Sequence, residues 1–184
     1  MELKKTWSQD LYLKALRFAA SAHNGQKVPG TELPYLMHVV SVAMEVTAAI
    51  SIEGISDPDL AVQCALLHDT IEDTDVSIQT VSLMFGSEIA AGIDALTKNR
   101  GLPKEIRMSD SIERILKLPR EIAMVKLADR VTNLQPPPAH WDELRIRHYR
   151  IEAEAILEHL GTASHILAER LRFKLAGYGS GSIS

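Results

Sequence analysis

One short segment of the chain concentrates reactive side chains. Directly after the apolar stretch Leu60 to Leu67, the chain carries an imidazole and three carboxylates, on His68, Asp69, Glu72 and Asp73. If the chain stays helical here, these groups can border one pocket, because residues four apart share a helix face. A histidine beside carboxylates at the edge of a core suits a divalent metal that carries a water molecule. The segment therefore predicts a metal site.

Two residues far from this segment could complete such a site. Asp129 lies on a helical stripe where an apolar residue would be cheaper, since a buried lone carboxylate is costly. Either a bound cation or an ion pair with Lys126 or Arg130 on an exposed face would explain it. His38 alone would be an ordinary helix histidine. Combined with the first segment, the two residues complete a two-histidine, two-carboxylate set that suits Mn²⁺, Fe²⁺ or Zn²⁺ and leaves positions for water and substrate.

Charge narrows the classes of function. The net charge is -4 and the sequence pI is about 6.0, which argues against a general nucleic-acid binder. Basic residues nevertheless cluster in the segment that holds Lys98, Lys104 and Arg107, and again around Arg145. Such clusters are either solvated helix faces or sites that hold a polyphosphate.

The remaining composition favours a cytoplasmic protein. No apolar run approaches the roughly 18 to 20 residues that a membrane span needs, and Met1 to Trp7 lacks the apolar core of a secretory signal. The single cysteine, Cys64, cannot form an internal disulfide, and we interpret it as a packed core thiol rather than a metal ligand. We expect no membrane and no nucleic acid among the partners.

The elements that must position these residues are helices. Apolar residues recur with a period near 3.6 residues, which predicts an all-α protein. Ser8, Asp57 and Ser77 fit N-caps, and Pro136 to Pro138 mark a firm break before two closing helices at about 142 to 160 and 164 to 175. Without repeats or a change of composition, we expect one domain over residues 1–177 and a flexible tail over 178–184.

The order and spacing of the motifs resemble a known family. His38, the pair His68 and Asp69, and Asp129 match the metal-binding pattern of the HD-domain phosphohydrolases. The match extends through residues 22–26, 34–38, 65–74, 85–86, 96–98 and 125–133, which together resemble the hydrolase domain of the RelA/SpoT homologues. These enzymes remove pyrophosphate from the 3′ position of the alarmone (p)ppGpp. The resemblance implies a single HD-domain helical bundle with a mononuclear metal site.

The resemblance also implies roles for individual residues. The four ligands named above would hold one catalytic Mn²⁺, and Glu72 with Asp73 would activate water and move protons. Asn133 and Tyr149 would contact the nucleotide, and we add Lys27 as a predicted substrate contact. His23 would have a structural role. The basic residues already named are our predictions for the phosphates, namely Lys98, Lys104, Arg107 and Arg145.

Two departures from the family pattern concern the substrate. The family places an arginine two residues after the glutamine of its His-x-Gly-Gln stretch, but Val28 stands there and only Lys27 is basic. Lysine cannot stack on a base as a guanidinium does, so adenosine alarmones such as (p)ppApp become candidates beside (p)ppGpp. Val39 replaces the usual proline after His38, and Pro136 to Pro138 follow the last motif.

Two other functions remain open at this stage. One is an HD-domain phosphohydrolase that acts on other nucleotides, such as dNMPs or a cyclic nucleotide. The other is a helical binding module whose site has decayed. In each case the partner is a small nucleotide and the protein is a monomer or homodimer. With 184 residues the chain is too short for an added synthetase domain, so we expect a hydrolase-only enzyme.

Overall fold

Helices form almost all of the regular structure in this computed structural model, which describes residues 6–138 and 140–179. The α-helices are α1 (Gln9–Ala22), α2 (Leu36–Glu53), α3 (Pro58–Leu67), α4 (Thr70–Asp73), α5 (Ile78–Phe85), α6 (Ser87–Leu96), α7 (Arg107–Ile115), α8 (Arg120–Asn133), α9 (Glu143–Leu160) and α10 (His165–Gly177). Short 3-10 turns cover Lys104–Ile106 and Gly161–Ala163. Within the described residues, the only β pairing is an isolated bridge between Lys27 and Pro34. The all-α prediction is confirmed.

The helix boundaries follow from local chemistry. In the first turns of α1, α3, α5, α9 and α10, a backbone N–H group donates a hydrogen bond to the side-chain oxygen of the N-cap residue. The N-cap residues are Ser8, Asp57, Ser77, Asp142 and Ser164. These caps satisfy backbone N–H groups that have no partner inside the helix. The chain is non-helical from Leu134 to Pro138, as the proline run predicted.

The core is built around α3 and α8, and it positions the site. Every residue of α3 except Asp59 is buried, and α8 is buried continuously from Glu121 to Val131. Helices that are enclosed on nearly all sides must be surrounded by other helices. Accordingly, α2 and α10 pack on α8, and α1, α2, α6 and α8 pack on α3. Polar residues on α8 therefore point into packed surroundings, where they need partners.

One helix departs from the expectation about membrane spans. By length and composition alone, α2 could cross a membrane, with a mean hydropathy of 1.5 over its 18 residues. The prediction that no apolar run approaches that length was wrong. The helix instead packs against α3 and α8 through residues such as Val39, Val42 and Val46, which are fully buried. The core helix of a globular protein meets the same criterion.

The boundary of the predicted tail also needs correction at its first residue. Tyr178 is 4% exposed and lies 5.9 Å from Tyr149 between ring centroids. Its carbonyl accepts a hydrogen bond from Arg150. The packed part of the chain therefore includes Tyr178, while residues 180–184 of the predicted tail lie outside the described residues.

Candidate metal centre and active site

Four predicted ligands converge from α2, the end of α3 and α8. The Nε2 atoms of His38 and His68 lie 3.3 Å apart. Asp69 Oδ2 lies 2.9 Å from His68 Nε2 and 3.5 Å from His38 Nε2. Asp129 Oδ1 lies 3.4 Å from His38 Nε2 and 3.7 Å from His68 Nε2. Residues 38, 68, 69 and 129 thus present two nitrogens and two oxygens toward one point.

The helix is interrupted at His68 and Asp69, two of the four converging residues. The helix does not continue through the acidic segment, because α3 ends at Leu67 and the short α4 begins at Thr70. His68 Nδ1 donates to the carbonyl of Ala65 at 2.8 Å. Because Nδ1 is used by this carbonyl, Nε2 is the ring nitrogen that faces the other predicted ligands, and in the neutral ring it would offer its lone pair to a metal. The assumption of a continuous helix through residues 68–73 was wrong. One helical hydrogen bond remains, from the Asp73 N–H to the Asp69 carbonyl at 2.9 Å.

The ligand groups are buried, and their electrostatics favour a bound cation. Burial opposes the charge on Asp129, but hydrogen bonds from His38 and His68 outweigh it and hold the pKa of Asp129 well below its usual value. Burial likewise lowers the pKa of His68, and the charge of Asp69 outweighs this and raises it well above 6.5. Two carboxylates in a dry site need positive charge close by.

The donor set fits a divalent metal. Nitrogen and oxygen donors without thiolate suit Mn²⁺, Fe²⁺ or Zn²⁺. Lys126 lies 3.6 Å from Asp129 Oδ2, and both side chains are about nine-tenths buried. The alternative of an ion pair on an exposed face is therefore excluded, although the ion pair itself exists inside the core. Lys126 also lies 3.5 Å from the carbonyl of Leu96, so it anchors α8 to the end of α6.

The two predicted acids lie beside the ligands on α4 and are held by the basic loop, residues 98–107. Glu72 Oε2 accepts a hydrogen bond from the Lys98 N–H at 3.0 Å. Arg100 donates to the Glu72 carbonyl at 2.7 Å and lies 3.8 Å from Asp73 Oδ1. Burial, followed by the charge of Asp69, raises the pKa of Asp73. The loop therefore holds both acids next to the predicted metal ligands.

Of the predicted nucleotide contacts, Asn133 touches a predicted metal ligand, Tyr149 lies in an aromatic cluster, and Lys27 is paired at the surface. Asn133 Nδ2 donates to Asp129 Oδ1, and Tyr149 packs 5.3 Å from Trp141 between ring centroids. The Arg145 guanidinium lies 4.3 Å over the ring of Trp141, so Arg145 and Tyr149 meet at one aromatic surface. Lys27 is instead paired with Glu32, and both side chains are largely exposed.

The basic loop uses some of its cations internally. Arg107 donates to the carbonyls of Leu102 and Arg100, at 2.8 and 3.0 Å, and so ties the loop together. Lys98 Nζ lies 3.8 Å from Glu152 Oε2, while Lys104 is exposed. A phosphate-binding role for these residues stays a prediction.

Sequence reasoning missed several residues that contact the site. Tyr35 donates to Asp69 Oδ2, and Arg130 stacks 4.3 Å from the ring of Tyr149 while pairing with Glu152 at 3.1 Å. Trp141 was missed as well. Tyr35 lies within residues 34–38, one of the stretches that resemble the family, and this position could have indicated its role. Nothing in local spacing pointed to Glu152, because only tertiary contact brings it to α8.

Comparisons with known proteins place this geometry in a family. The HD domain family model matches residues 15–168. The chain belongs to the HD-domain family. It is 33% identical to the human guanosine-3′,5′-bis(diphosphate) 3′-pyrophosphohydrolase MESH1, over 90% of this chain and 94% of that protein. The MESH1 of Danio rerio is 31% identical over 90% and 92% of the two chains. The predicted resemblance to hydrolase-only relatives of RelA/SpoT is confirmed.

A solved structure of an HD-domain relative agrees with the fold. It is described as a metazoan ortholog of SpoT that hydrolyses ppGpp and plays a role in starvation responses. The two structures superpose with a TM-score of 0.79 at 28% identity, over 95% of this chain and 99% of the other. The GTP pyrophosphokinase rsh of Brucella abortus is 32% identical over 76% of this chain but only 18% of its own length. The chain therefore corresponds to one portion of that larger enzyme.

Proposed function

We propose that the protein is a metal-dependent alarmone hydrolase that removes the 3′-pyrophosphate from (p)ppGpp, (p)ppApp or both. The convergence of His38, His68, Asp69 and Asp129, with two further acids beside them, carries this proposal. The full-length similarity to ppGpp pyrophosphohydrolases supports the substrate class. A cytoplasmic location and a monomeric or homodimeric state belong to the same proposal.

The reaction is hydrolysis at the phosphorus attached to the nucleoside 3′-oxygen. Water adds an oxygen to that phosphorus, and the bond from phosphorus to the 3′-oxygen breaks. The products are a nucleotide with a free 3′-hydroxyl and pyrophosphate. When bound by the four ligands, Mn²⁺ supplies charge neutralisation for the phosphates and lowers the pKa of water. Glu72 and Asp73 take a proton from the water and return one to the leaving oxygen.

The positions of Glu72 and Asp73 support a role in proton transfer rather than in metal binding. Glu72 and Asp73 are not among the four converging groups, yet both lie on α4, directly after the ligand Asp69. Asp73 Oδ2 is 3.3 Å from the Tyr35 hydroxyl, which itself contacts Asp69 at 2.5 Å. The raised pKa of Asp73 suits a group that carries a proton for part of the reaction.

Cations near the mouth of the site would hold the phosphates. Arg100 has a side chain that is 70% exposed beside Asp73, and Lys98 Nζ lies 3.8 Å from Glu152 Oε2. Lys104, Arg107 and Arg145 complete the proposed set. An incoming polyphosphate would compete with Asp73 and Glu152 for these cations, since phosphate oxygens form charge-assisted hydrogen bonds with Arg and Lys.

The preference for one nucleobase depends on the loop that precedes α2. Val28 is partly buried, and its backbone is fixed by a hydrogen bond from its N–H to the Leu33 carbonyl at 2.9 Å. Lys27 is paired with Glu32. Neither side chain offers a planar cation for stacking on a purine, so we propose that adenine and guanine alarmones are both accepted.

A substrate panel tests the proposal. Metal-free protein is reloaded with Mn²⁺ and incubated with ppGpp, ppApp, a dNMP and a cyclic nucleotide, and each product is identified by chromatography. We expect pyrophosphate from the alarmones only. Asp69→Ala should abolish release, whereas Asp75→Ala, at an exposed carboxylate on the same segment, should not.

Other results would point to the competing functions. Turnover of the dNMP or cyclic nucleotide with inert alarmones would assign a different phosphohydrolase. Tight alarmone binding by the metal-loaded protein without any product would indicate a binding module. Either result would contradict the proposed activity.

A further inference from the structure

Tyr35 connects the predicted metal ligands to the predicted acids. Its hydroxyl lies 2.5 Å from Asp69 Oδ2 and 3.3 Å from Asp73 Oδ2. Asp69 Oδ2 is also the oxygen that faces His68 Nε2 at 2.9 Å. A phenol has one proton, which it can direct to either carboxylate, and the contact to Asp69 is the shorter of the two. The longer contact keeps Asp73 within reach of the same phenol oxygen.

The ring of Tyr35 is held from two sides. Its centroid lies 4.9 Å from that of His23 and 5.4 Å from that of the ligand His38. The backbone is fixed as well, because the Tyr35 N–H donates to the Gln26 carbonyl at 2.9 Å. The adjacent bridge between Lys27 and Pro34 closes the loop that delivers Tyr35 to the site. A hydroxyl on a ring held in this way has little freedom to leave Asp69.

The same loop reaches the second acid through its backbone. Gln26 Nε2 donates to the Asp73 carbonyl at 2.7 Å, and His23 Nδ1 donates to Gln26 Oε1 at 2.8 Å. His23 is 3% exposed, so this contact is made inside the protein. The loop therefore holds Asp73 at its main chain through Gln26 and lies against its carboxyl group through Tyr35.

We propose that Tyr35 is a positioning residue that fixes Asp69 for metal binding and keeps Asp73 aligned with the ligand cluster. The effect on Asp69 concerns metal affinity and stands without knowledge of the substrate. The effect on Asp73 rests on the proposed alarmone hydrolysis. A hydrogen bond to a ligating carboxylate orients it, and outer partners of this kind change metal affinity or activity by about 10- to 100-fold.

The role proposed for Tyr35 rests on the two contacts of its hydroxyl, to Asp69 Oδ2 and to Asp73 Oδ2. Its contribution is directional, and removal of the single oxygen atom should expose it while the ring stays packed.

The first experiment measures metal binding without any substrate. Tyr35→Phe and the control Tyr12→Phe, whose ring packs against Trp7, are prepared metal-free, and Mn²⁺ binding is followed by equilibrium dialysis. We expect about 10-fold weaker binding for Tyr35→Phe and unchanged binding for Tyr12→Phe. The melting temperature of the metal-free proteins separates positioning from folding. Mn²⁺ affinity of Tyr35→Phe equal to that of the wild type would overturn the proposal.

The second experiment tests the connection to Asp73. At saturating Mn²⁺, we expect Tyr35→Phe to lower kcat for the alarmone by about 10- to 100-fold with KM nearly unchanged. In an Asp73→Asn background the same substitution should cost much less, because the group that it aligns is gone. An equal loss of kcat in both backgrounds would refute the connection. If the wild type turns over no alarmone, the proposed function fails, while weaker Mn²⁺ binding by Tyr35→Phe still supports the role at Asp69.

Discussion

Replacing Glu72 by glutamine should separate proton transfer from metal binding. Glu72 lies outside the ligand cluster, and its Oε2 accepts the Lys98 N–H at 3.0 Å. Glutamine keeps the length of the side chain and an oxygen that can accept the same hydrogen bond, but it cannot take up a proton from water. General acid–base catalysis typically contributes about 10²- to 10⁴-fold. We therefore expect kcat to fall by that factor, which is about 2.7 to 5.4 kcal/mol in activation free energy.

The structure also sets the expected effect on stability. A hydrogen bond to a charged acceptor contributes about 1.5 to 3 kcal/mol and a neutral one about 0.5 to 1.5 kcal/mol. The change to glutamine should therefore lower the free energy of unfolding by about 1 kcal/mol. Glu72→Ala should cost more, because the Lys98 N–H then loses its acceptor. Mn²⁺ affinity should stay within about twofold in both variants, since Glu72 lies outside the four converging groups.

The assay combines pyrophosphate release, equilibrium dialysis with Mn²⁺ and urea denaturation on the same preparations. Glu158→Gln, at an exposed position of α9, is the matched control and should behave as the wild type in all three. Two results would refute the reasoning. One is a wild-type kcat for Glu72→Gln. The other is a loss of Mn²⁺ binding as large as that of Asp69→Asn, which would make Glu72 a ligand.

Three further predictions concern packing, reactivity and the basic loop. Gly92→Ala should destabilise the protein by about 1 to 3 kcal/mol in chemical denaturation, because a Cβ there would lie 2.6 Å from Ile122 Cδ1. The control Gly177→Ala, where an added Cβ has open space, should be no less stable than the wild type. Burial raises the pKa of the Cys64 thiol, so a thiol reagent at pH 8 should label the folded protein far more slowly than the urea-unfolded protein, and fast labelling of both would contradict this. Arg107→Met should loosen the basic loop and raise KM for the alarmone with unchanged Mn²⁺ affinity; an unchanged KM would show that the loop needs no such tie.

Much of the fold was predictable because it depends on local patterns. Helix periodicity, the caps at Ser8, Asp57 and Ser77, and the break at the proline run all act within a few residues of the chain. The break within the acidic segment was not predictable in this way. His68 leaves the helix while its Nδ1 stays bonded to Ala65, and nothing in the side-chain pattern requires that turn.

The site was predictable to the extent that its chemistry is carried by residue type. Two histidines and two aspartates at family spacing pointed to a metal, and the structure brings all four together. The residues that would bind the phosphates were harder to predict, because the spacing of basic residues does not show which of them already pair with a protein group. Lys27 with Glu32 and Arg107 with two loop carbonyls are such cases.

The sequence by itself determined the class of fold, the family and the predicted set of metal ligands, because these are properties of residue types and their order. Only the tertiary structure decided which groups share charge and hydrogen bonds. Asp129 is a buried carboxylate with Lys126 beside it, not a surface ion pair, since α8 is enclosed by its neighbours. Tyr35 reaches Asp69 across 34 positions of the chain. Contacts of this kind depend on how helices pack, and no local pattern records them.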